Sequence, residues 1–480
     1  MSRRRRIYLF GGSFNPPGVH HERIVQALQK LCHGNDLIVI IPCGLRPDKE
    51  HTNDIDPSHR AAMVELAFAS MNRVQIDLSD LEGGEFTRTW DLDDRYRKEF
   101  SDTEIWHVVG TDLVVGGAQA NSEIHRWYRG EEIFKNRPFV VVTRCDLDVP
   151  TEDFPRNHEV LNPGLHGSST QIRKQRAERL DIALLVNASV RCYMERWHLY
   201  TGRATLGAIH WQPEGPGLIV PILADPSNPS PQRDQRVRDL IQMVERINQN
   251  RSGQPDHVMV VGGDGWMLDA IAKQMNLRLP FVGLNAGTVG YLLNGGSPEQ
   301  LEERLLRGTY RLYRQPLLSV EYVDQSGRVR TTHTFNEAFL RARGDHSAWM
   351  RVTIDGQERF DRLVGDGLMI STPAGSTGWA HALGATPVMI GTPQVILTGD
   401  ATTHHRRRWV SAPLPGHATT DVEVLGGQKR PMRLVLSGRC VGEVSGAKIR
   451  LSRAHAAELA FFPETDLAEK LMQLHLGTDQ

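Results

Sequence analysis

The chain has 480 residues, of which 40% are hydrophobic and 24% charged, and its formal net charge is −1. A nearly neutral chain of this composition is typical of a globular protein and gives no electrostatic reason to expect a nucleic-acid partner. No apolar run approaches the roughly 20 residues needed to cross a bilayer, so we expect a cytoplasmic protein without a membrane partner. Five scattered cysteines without a CxxC pair favour neither a disulfide framework nor a zinc site.

The first predicted elements are a strand, a glycine turn and a helix. Residues 7–10 form an apolar run, residues 11–17 read GGSFNPP, and an apolar helical repeat begins at Ile24. Such a turn lets backbone N–H groups approach a phosphate, and the positive end of the following helix favours the anion. The candidate phosphate ligands of this segment are Gly11, Gly12, Ser13, Phe14, Asn15, His20 and His21.

Four further strand-like runs, at residues 37–41, 74–76, 105–109 and 139–142, alternate with helical segments. This alternation predicts a Rossmann-like, doubly wound parallel sheet with its ligand at the carboxyl ends of the strands. The set contains cations, imidazoles and hydroxyls but no obvious nucleophile, which fits nucleotidyl transfer, where a substrate phosphate attacks ATP. The further candidate ligands for ATP or a mononucleotide are Lys49, Thr87, Gly110, Asp112, Arg144, Ser168, Ser169, Thr170 and Arg173.

A second strand, glycine turn and helix follow in the other half of the chain. Residues 258–261 form the apolar run, residues 262–265 read GGDG, and a helical pattern follows. From about Pro316, short alternating runs separated by turns predict antiparallel β structure. We therefore expect three domains: residues 1–200, an α/β lobe at 201–315, and a β-rich lobe with a C-terminal return segment at 316–480.

The GGDG turn alone suits lipid kinases, phosphofructokinases and nicotinamide dinucleotide kinases. An Asp in a tight turn is often structural, but it can also accept the proton of an attacking hydroxyl during phosphoryl transfer. The accompanying motifs narrow the choice: NAGTVGYL at residues 285–292, Asn336-Glu337, GDG at 365–367 and STPAGST at 371–377.

Residues 5–200 resemble the nicotinate or nicotinamide mononucleotide adenylyltransferases. The matching stretches are GGSFNPP with His21, VVGTDL at 108–113, IHRWYRGEEIF at 124–134 and SSTQIR at 168–173. The resemblance implies that His21 and Arg173 hold the ATP phosphates, that Ser169 and Thr170 support the triphosphate, and that Trp127 stacks on the pyridine ring, core packing being the alternative for Trp127. The first histidine of the family's His-x-Gly-His is replaced by Gly18, and we expect His20 to substitute for it.

Residues 203–475 resemble NAD kinase. The resemblance implies that Asp264 activates the ribose 2′-hydroxyl, that Asn336 and Glu337 grip the adenosine part of NAD, and that Asp366 and Thr377 line the same substrate cleft. Trp266 replaces the family's usual threonine, and we expect its indole to stack on a substrate ring. The other candidate ligands for NAD or phosphate are Gly262, Gly263, Gly265, Asn285, Gly287, Thr372, Gly375 and Ser376.

These resemblances predict a bifunctional enzyme. The first half would join a nicotinate or nicotinamide mononucleotide to the adenylyl group of ATP, and the second would phosphorylate NAD to NADP. We expect Mg²⁺ to enter with ATP, bound through its phosphates, and the protein to form a homo-oligomer. The alternative is that one half is a degenerate module that senses NAD and regulates the other.

Overall fold

The computed structural model describes residues 4–46, 54–143, 149–164, 166–202, 208–219, 231–287 and 290–477. Two of the predicted ligands, Lys49 and Arg144, lie outside these ranges. The chain divides into two compact units, Met1–Ala204 and Thr205–Gln480. None of the helices in the described ranges has both the length and the apolar character to cross a membrane.

The first unit is built on one parallel sheet of six strands in the order β3-β2-β1-β4-β5-β6. The strands are β1 (Arg5–Gly12), β2 (Leu37–Pro42), β3 (Val74–Ile76), β4 (Thr103–Gly110), β5 (Phe139–Val142) and β6 (His158–Leu161). The helices are α1 (Val19–Leu31), α2 (Pro57–Phe68), α3 (Ser79–Gly83), α4 (Thr89–Glu99), α5 (Gly130–Asn136), α6 (Ser169–Ala177) and α7 (Ala188–Arg196). The predicted doubly wound sheet is confirmed.

Strand order reverses at β1, which pairs with β2 on one side and β4 on the other. The central strands are apolar runs because both faces of the sheet are covered. Ile7, Leu9 and Ile105 belong to one buried cluster, and Val109 and Phe139 to another. The crevice at the carboxyl ends of β1 and β4 is therefore the expected place for a ligand.

The second unit begins with a parallel α/β part. Its strands β8 (Gly217–Ile219), β9 (His257–Gly262) and β10 (Phe281–Asn285) are parallel neighbours, and β7 (Ile209–Trp211) pairs antiparallel with a later strand. The accompanying helices are α8 (Pro231–Gln249), α9 (Asp264–Gln274) and α10 (Pro298–Arg307).

Antiparallel structure follows, as predicted. The strands are β11 (Tyr310–Asp324), β12 (Val329–Thr334), β13 (Glu337–Ala342), β14 (Ala348–Ile354), β15 (Gln357–Gly365), β16 (Gly367–Ser371), β17 (Gln394–Asp400), β18 (Thr403–His404), β19 (Arg407–Arg408), β20 (Ser411–Pro415), β21 (Thr420–Leu425), β22 (Met432–Leu436) and β23 (Arg439–Phe461). Two helices complete the unit, α11 (Trp379–Ala382) and α12 (Leu467–Leu476).

The long strands β11 and β23 connect the two parts of the second unit. They pair from Arg311↔Phe461 to Asp324↔Val444, and β23 also pairs with β10 of the α/β part. One hydrophobic cluster surrounds α9 and β9, and a second fills the antiparallel part. Strand β11 thus runs through residue 315, where the sequence predicts a boundary between lobes.

Candidate functional sites

A buried arginine donates hydrogen bonds to the backbone of the GGSFNPP turn and of the segment after β2. Arg60 on α2 is fully buried and donates hydrogen bonds to the carbonyl oxygens of Ser13, at 3.0 Å, and Cys43, at 2.8 Å. It thereby ties the turn after β1 to the segment after β2. The sequence analysis did not single out Arg60, because its partners are backbone carbonyls, which no side-chain pattern marks.

The two adjacent histidines lie at the start of α1. His21 Nδ1 accepts a hydrogen bond from the backbone N–H of Gly18 at 3.1 Å. In a neutral ring with this bond the proton is on Nε2, so Nε2 is a donor suited to a phosphate oxygen. The ring of His21 also lies 4.9 Å from that of Phe14, centroid to centroid, which fixes its orientation.

His20 lies beside the position of the missing histidine. A Cβ atom on Gly18 would lie 2.8 Å from both Nδ1 and Cε1 of His20, so the imidazole fills space that a side chain at residue 18 would need. The His20 and His21 ring centroids are 3.9 Å apart. The expected substitution of His20 for the absent histidine stays a prediction, and this placement supports it.

The start of α6 is held against the same turn. Ser169 Oγ donates to the carbonyl oxygen of Pro16 at 2.9 Å, and Arg173 donates to that of Asn15 at 2.7 Å. Arg173 also lies 3.3 Å from the hydroxyl of Thr170. The structure therefore brings the GGSFNPP turn, the two hydroxyl residues and Arg173 together at one helix N-terminus, an arrangement suited to a polyphosphate.

Two neighbouring residues support this arrangement. Ser168 caps α6 by accepting the N–H of Gln171 at 3.2 Å, which is the structural role that an isolated serine at a helix start suggests. Tyr200 donates its hydroxyl to Asn15 Oδ1 at 2.5 Å, and burial raises the pKa of Tyr200 well above its usual value. The phenol therefore stays protonated and holds Asn15 in place.

A cavity of about 400 Å³ opens at the carboxyl ends of β1, β2 and β4. Its lining includes four predicted ligands, Gly11, Gly12, Thr87 and Trp127. Trp127 also packs against the cluster around Phe139, so the two interpretations of this residue are compatible.

Other polar groups complete the lining of this cavity. Asp80 accepts hydrogen bonds from both the N–H and the hydroxyl of Thr87, and Arg46 and Arg88 lie nearby in the wall. Asp112, by contrast, is exposed and is not part of the lining; its carboxylate lies beside Gly110, where a Cβ atom would be 2.3 Å from Oδ1.

In the second unit, Asp264 is the first residue of α9 and both of its carboxylate oxygens accept backbone N–H groups. The donors are Tyr291 and Leu292, each at 2.9 Å. Burial raises the pKa of Asp264, while these two bonds and the charge of Lys470 oppose that shift. The Asp264 carboxylate therefore stabilises residues 291 and 292 through hydrogen bonds. Because its pKa is raised, it is also a stronger base than an exposed aspartate.

The rest of the glycine turn and the segment after β10 are arranged around Asp264. Asn285 Oδ1 accepts the N–H of Gly287 at 2.9 Å, which closes a turn directly after β10. Gly263 caps α9, and Gly265 is exposed with open space where a Cβ atom would lie. Gly262, Gly263, Gly265, Asn285 and Gly287 therefore lie at the carboxyl ends of the neighbouring strands β9 and β10.

Trp266 has a protein partner in this turn. A Cβ atom on Gly262 would lie 2.8 Å from Cδ1 of the indole, and the indole also packs against the cluster that contains Met267. The stacking expectation depended on the idea that a large aromatic side chain beside a glycine turn needs a substrate as its partner. Since Gly262 and the core supply that partner, we now expect Trp266 to act in packing.

Trp266→Thr is accordingly expected to lower the free energy of unfolding by about 2 kcal/mol, because it removes a partly buried indole from the core. The Michaelis constants for NAD and ATP should each change by less than about twofold. Denaturant unfolding and steady-state kinetics test both statements. Trp379→Thr is the control, because it removes an indole that is 46% exposed and should lower the free energy of unfolding by less. A large increase in either Michaelis constant for Trp266→Thr would restore the stacking hypothesis.

Asn336 and Glu337 lie at the start of β13 and are held by the turn between β22 and β23. The backbone N–H of Asn336 donates to Ser437 Oγ at 3.1 Å, and a hydrogen bond from the N–H of Gly438 favours the ionised form of Glu337. Glu337 is only 6% exposed, and burial raises its pKa to about 7. The Oδ1 atom of Asn336 is buried and accepts no hydrogen bond from the described residues, which leaves an acceptor for a ligand.

The STPAGST segment packs directly on Asn336. Gly375 approaches so closely that a Cβ atom there would lie 2.3 Å from the Asn336 carbonyl oxygen. Thr372 and Ser376 are completely buried, and their hydroxyls bond at 2.6–3.2 Å to backbone groups of Pro373 and Gly375 in the same segment and of Phe335 and Val388 outside it. Thr377 Oγ1 donates to a carbonyl one turn earlier at 3.0 Å. The hydroxyls of Thr372 and Ser376 therefore stabilise the backbone conformation of residues 372–376.

The shared cleft of Asp366 and Thr377 stays a prediction. Glu337 pairs with Ser371 at one end of β16, whereas Asp366 precedes Gly367 at the other end. At about 3.3 Å per residue the strand separates Asp366 from Ser371 by roughly 16 Å. The resemblance to NAD kinase implies that both residues line one cleft, and the residues between their motifs form an extended strand.

Comparison with known proteins assigns each half of the chain. A cytidylyltransferase-like family model matches residues 9–175, and the ATP-NAD kinase N-terminal domain matches residues 222–311. An NAD kinase of Cereibacter sphaeroides is 34% identical over 231 residues, covering 48% of this chain and 90% of that protein. An NAD kinase of Brucella melitensis is 35% identical over 208 residues, covering 43% of this chain and 80% of that protein. The crystal structure of yeast NADH kinase complexed with NADH aligns with a TM-score of 0.45 at 16% identity, covering 56% of this chain and 90% of that one.

Proposed function

Because this chain belongs to the NAD kinase family through its C-terminal half and carries a cytidylyltransferase-like domain ahead of it, we propose that it is a bifunctional enzyme of NAD and NADP synthesis. The observation that carries the proposal is that each matched segment contains one strand, glycine turn and helix, at Gly11 and at Gly262.

In the first unit we propose adenylyl transfer to a nicotinate or nicotinamide mononucleotide. The mononucleotide occupies the cavity beside Trp127, and one of its phosphate oxygens bonds to the α-phosphorus of ATP while the bond to pyrophosphate breaks. His21, through Nε2–H, and Arg173 stabilise the charge on the phosphates. Their support by Gly18 and Asn15 holds them in place before the substrate arrives.

In the second unit we propose transfer of the γ-phosphoryl group of ATP to the 2′-hydroxyl of NAD. The 2′-oxygen bonds to the γ-phosphorus, the bond to ADP breaks, and the proton passes to the Asp264 carboxylate. A buried carboxylate with a raised pKa is a stronger base for this transfer than an exposed one. Asn336 Oδ1 and Glu337 are proposed to bind the adenosine part of NAD.

Mg²⁺ bound with ATP would neutralise the charge of the phosphates in both reactions. Both oxygens of Asp264 already accept backbone N–H groups, which fits a metal that arrives on the nucleotide rather than on this carboxylate. A cytoplasmic location and a homo-oligomeric state remain predictions from the sequence.

The deciding experiment incubates the full-length protein with ATP, Mg²⁺ and either mononucleotide, and separately with ATP, Mg²⁺ and NAD. Pyrophosphate and a dinucleotide are expected in the first reaction and NADP in the second. If only one reaction occurs, the inactive half fits the alternative of an NAD-sensing module. If neither occurs, the proposed function is wrong.

The ionisation of Glu337 predicts how NAD binding depends on pH. With a pKa of about 7, the free carboxyl is largely protonated below neutrality, and ribose hydroxyls that donate to it favour the ionised form. The affinity for NAD is therefore expected to rise by about tenfold between about pH 6 and about pH 8. Isothermal titration with NAD measures this change.

Glu337→Gln is the control for this prediction, because it keeps the shape and removes the titration. Its affinity for NAD should be nearly constant over the same pH range. Without ligand, the wild-type carboxyl contributes stability below its unfolded pKa, and that contribution is lost as pH rises through about 7. Equal pH profiles for NAD binding in the two proteins would exclude a binding role for the carboxylate.

A further inference from the structure

The C-terminal helix α12 packs on the α/β part of the second unit, in the same hydrophobic cluster as the helix that begins with Asp264. Leu467 is buried in the cluster that contains Met267 of α9, and Leu471 and Leu474 pack against the same cluster. At its other end, the ring of His475 lies 5.2 Å from that of His381 on α11, centroid to centroid. Helix α12 therefore shares a hydrophobic cluster with α9, which follows the GGDG turn, and contacts α11, which follows the STPAGST segment.

One polar side chain of α12 extends into this interface. Lys470 Nζ donates to the carbonyl oxygen of Tyr291 at 3.2 Å and also to that of Leu293. The same segment donates the N–H groups of Tyr291 and Leu292 to the Asp264 carboxylate. Residues 291–293 are thus held through their N–H groups by Asp264 and through their carbonyl groups by Lys470.

We propose that Lys470 is a positioning residue for phosphoryl transfer, which fixes residues 291–293 and through them the orientation and charge of Asp264. The proposal rests on the proposed kinase function. The ammonium group has carbonyl partners on both sides of Leu292, so it stabilises the conformation in which Leu292 and Tyr291 present their N–H groups to one carboxylate. It also supplies the positive charge that acts on Asp264.

The electrostatic coupling between the two groups has a definite sign. Burial lowers the pKa of Lys470 to about 8, and the negative charge of Asp264 opposes that shift. Conversely, the ammonium charge keeps the pKa of Asp264 below the value that burial alone would give. The other ionisable groups on α12 and on the elements packed against it include Tyr291, Tyr313, His381, Asp269, Lys273, Asp466, Glu469 and His475. Arg311 and Glu464 also lie beside the start of α12.

The test is the pH profile of kcat for NADP formation, at saturating NAD and ATP, in the wild type, Lys470→Met and Lys470→Arg. The wild type should show an acid limb from Asp264 and an alkaline limb near pH 8 from Lys470. In Lys470→Met the acid limb should move up by about one pH unit, because an opposite charge has been removed, and kcat on that limb should fall about tenfold. Lys470→Arg should keep the acid limb and lose the alkaline one, because a guanidinium stays charged.

Lys429→Met is the matched control, since it removes an exposed lysine from the turn between β21 and β22 and should leave both limbs unchanged. Thermal unfolding across the same pH range separates a loss of folding from a shifted limb. An unchanged acid limb in folded Lys470→Met would overturn the inference. A rise in the Michaelis constant for ATP at constant kcat would also overturn it, because that result would indicate that Lys470 binds phosphate directly. A wild type that makes no NADP at any pH would instead refute the proposed function.

Discussion

Asp264→Asn is expected to abolish NADP formation while pyrophosphate release by the first unit stays within about twofold of the wild type. An amide cannot accept the proton of the 2′-hydroxyl, and only one of its two terminal atoms can accept a backbone N–H. The bond to Tyr291 or that to Leu292 must then be broken, so both the base and the shape of its surroundings are lost. Coupled assays for NADP and pyrophosphate on the same preparation measure both effects.

Asp269→Asn is the matched control for this substitution. Asp269 lies on the same helix and pairs with Lys273 and Arg439, but it makes no bond to residues 291–293 among the contacts of the described residues. NADP formation in this variant should stay close to that of the wild type, because exposed ion pairs contribute little. If Asp264→Asn also silenced pyrophosphate release, the two activities would not be independent.

His21→Ala is expected to reduce the turnover of the adenylyl transfer reaction at least about 100-fold, as for other preorganised donors to a transition state. The Nδ1 bond to Gly18 fixes the ring and places the proton of the neutral imidazole on Nε2, which can donate to a phosphate oxygen. The loss should appear in kcat more than in the Michaelis constants, because the charge on the phosphates increases in the transition state. NADP formation from added NAD should be unchanged.

His20→Ala tests whether the neighbouring histidine has replaced the one that is missing at Gly18. A loss comparable with that of His21→Ala is expected if the His20 imidazole contributes to phosphate transfer from the space beside Gly18. Because His20 is 5% exposed, its removal also opens a cavity, so His20→Gln, which retains a side-chain donor, is measured alongside. Near-normal turnover in His20→Ala would sink the substitution hypothesis and leave the family assignment intact.

The glycine turns could be predicted from the sequence because their requirements are local. An apolar run, two glycines and an apolar helical repeat occur within about twenty residues, and the structure places β1 with α1 and β9 with α9 at these positions. The supporting cations could not be predicted in this way. Arg60 is 47 residues from Ser13 and Lys470 is 179 from Tyr291, and both donate to backbone carbonyls, which no side-chain pattern marks.

The position of Asp366 shows a related limit. Two motifs separated by three residues seem adjacent in sequence, but whether they meet depends on whether the residues between them turn or extend. Here residues 367–371 are a buried strand with partners on both sides, β13 and β17, and this pairing keeps them extended. The hydrophobic pattern predicts β structure here without indicating which end of the strand faces the substrate.

The continuity of β11 limits how the kinase half can move. A hinge between its two parts would have to break the ladder between β11 and β23, which continues on both sides of the register shift at Pro316/Leu318. Such a bulge increases local twist but preserves the pairing around it. Closure around NAD and ATP should therefore involve no rotation of one lobe against the other. A short segment such as residues 372–377 would rearrange on a rigid frame, so substrates should alter amide exchange there and leave β11 protected.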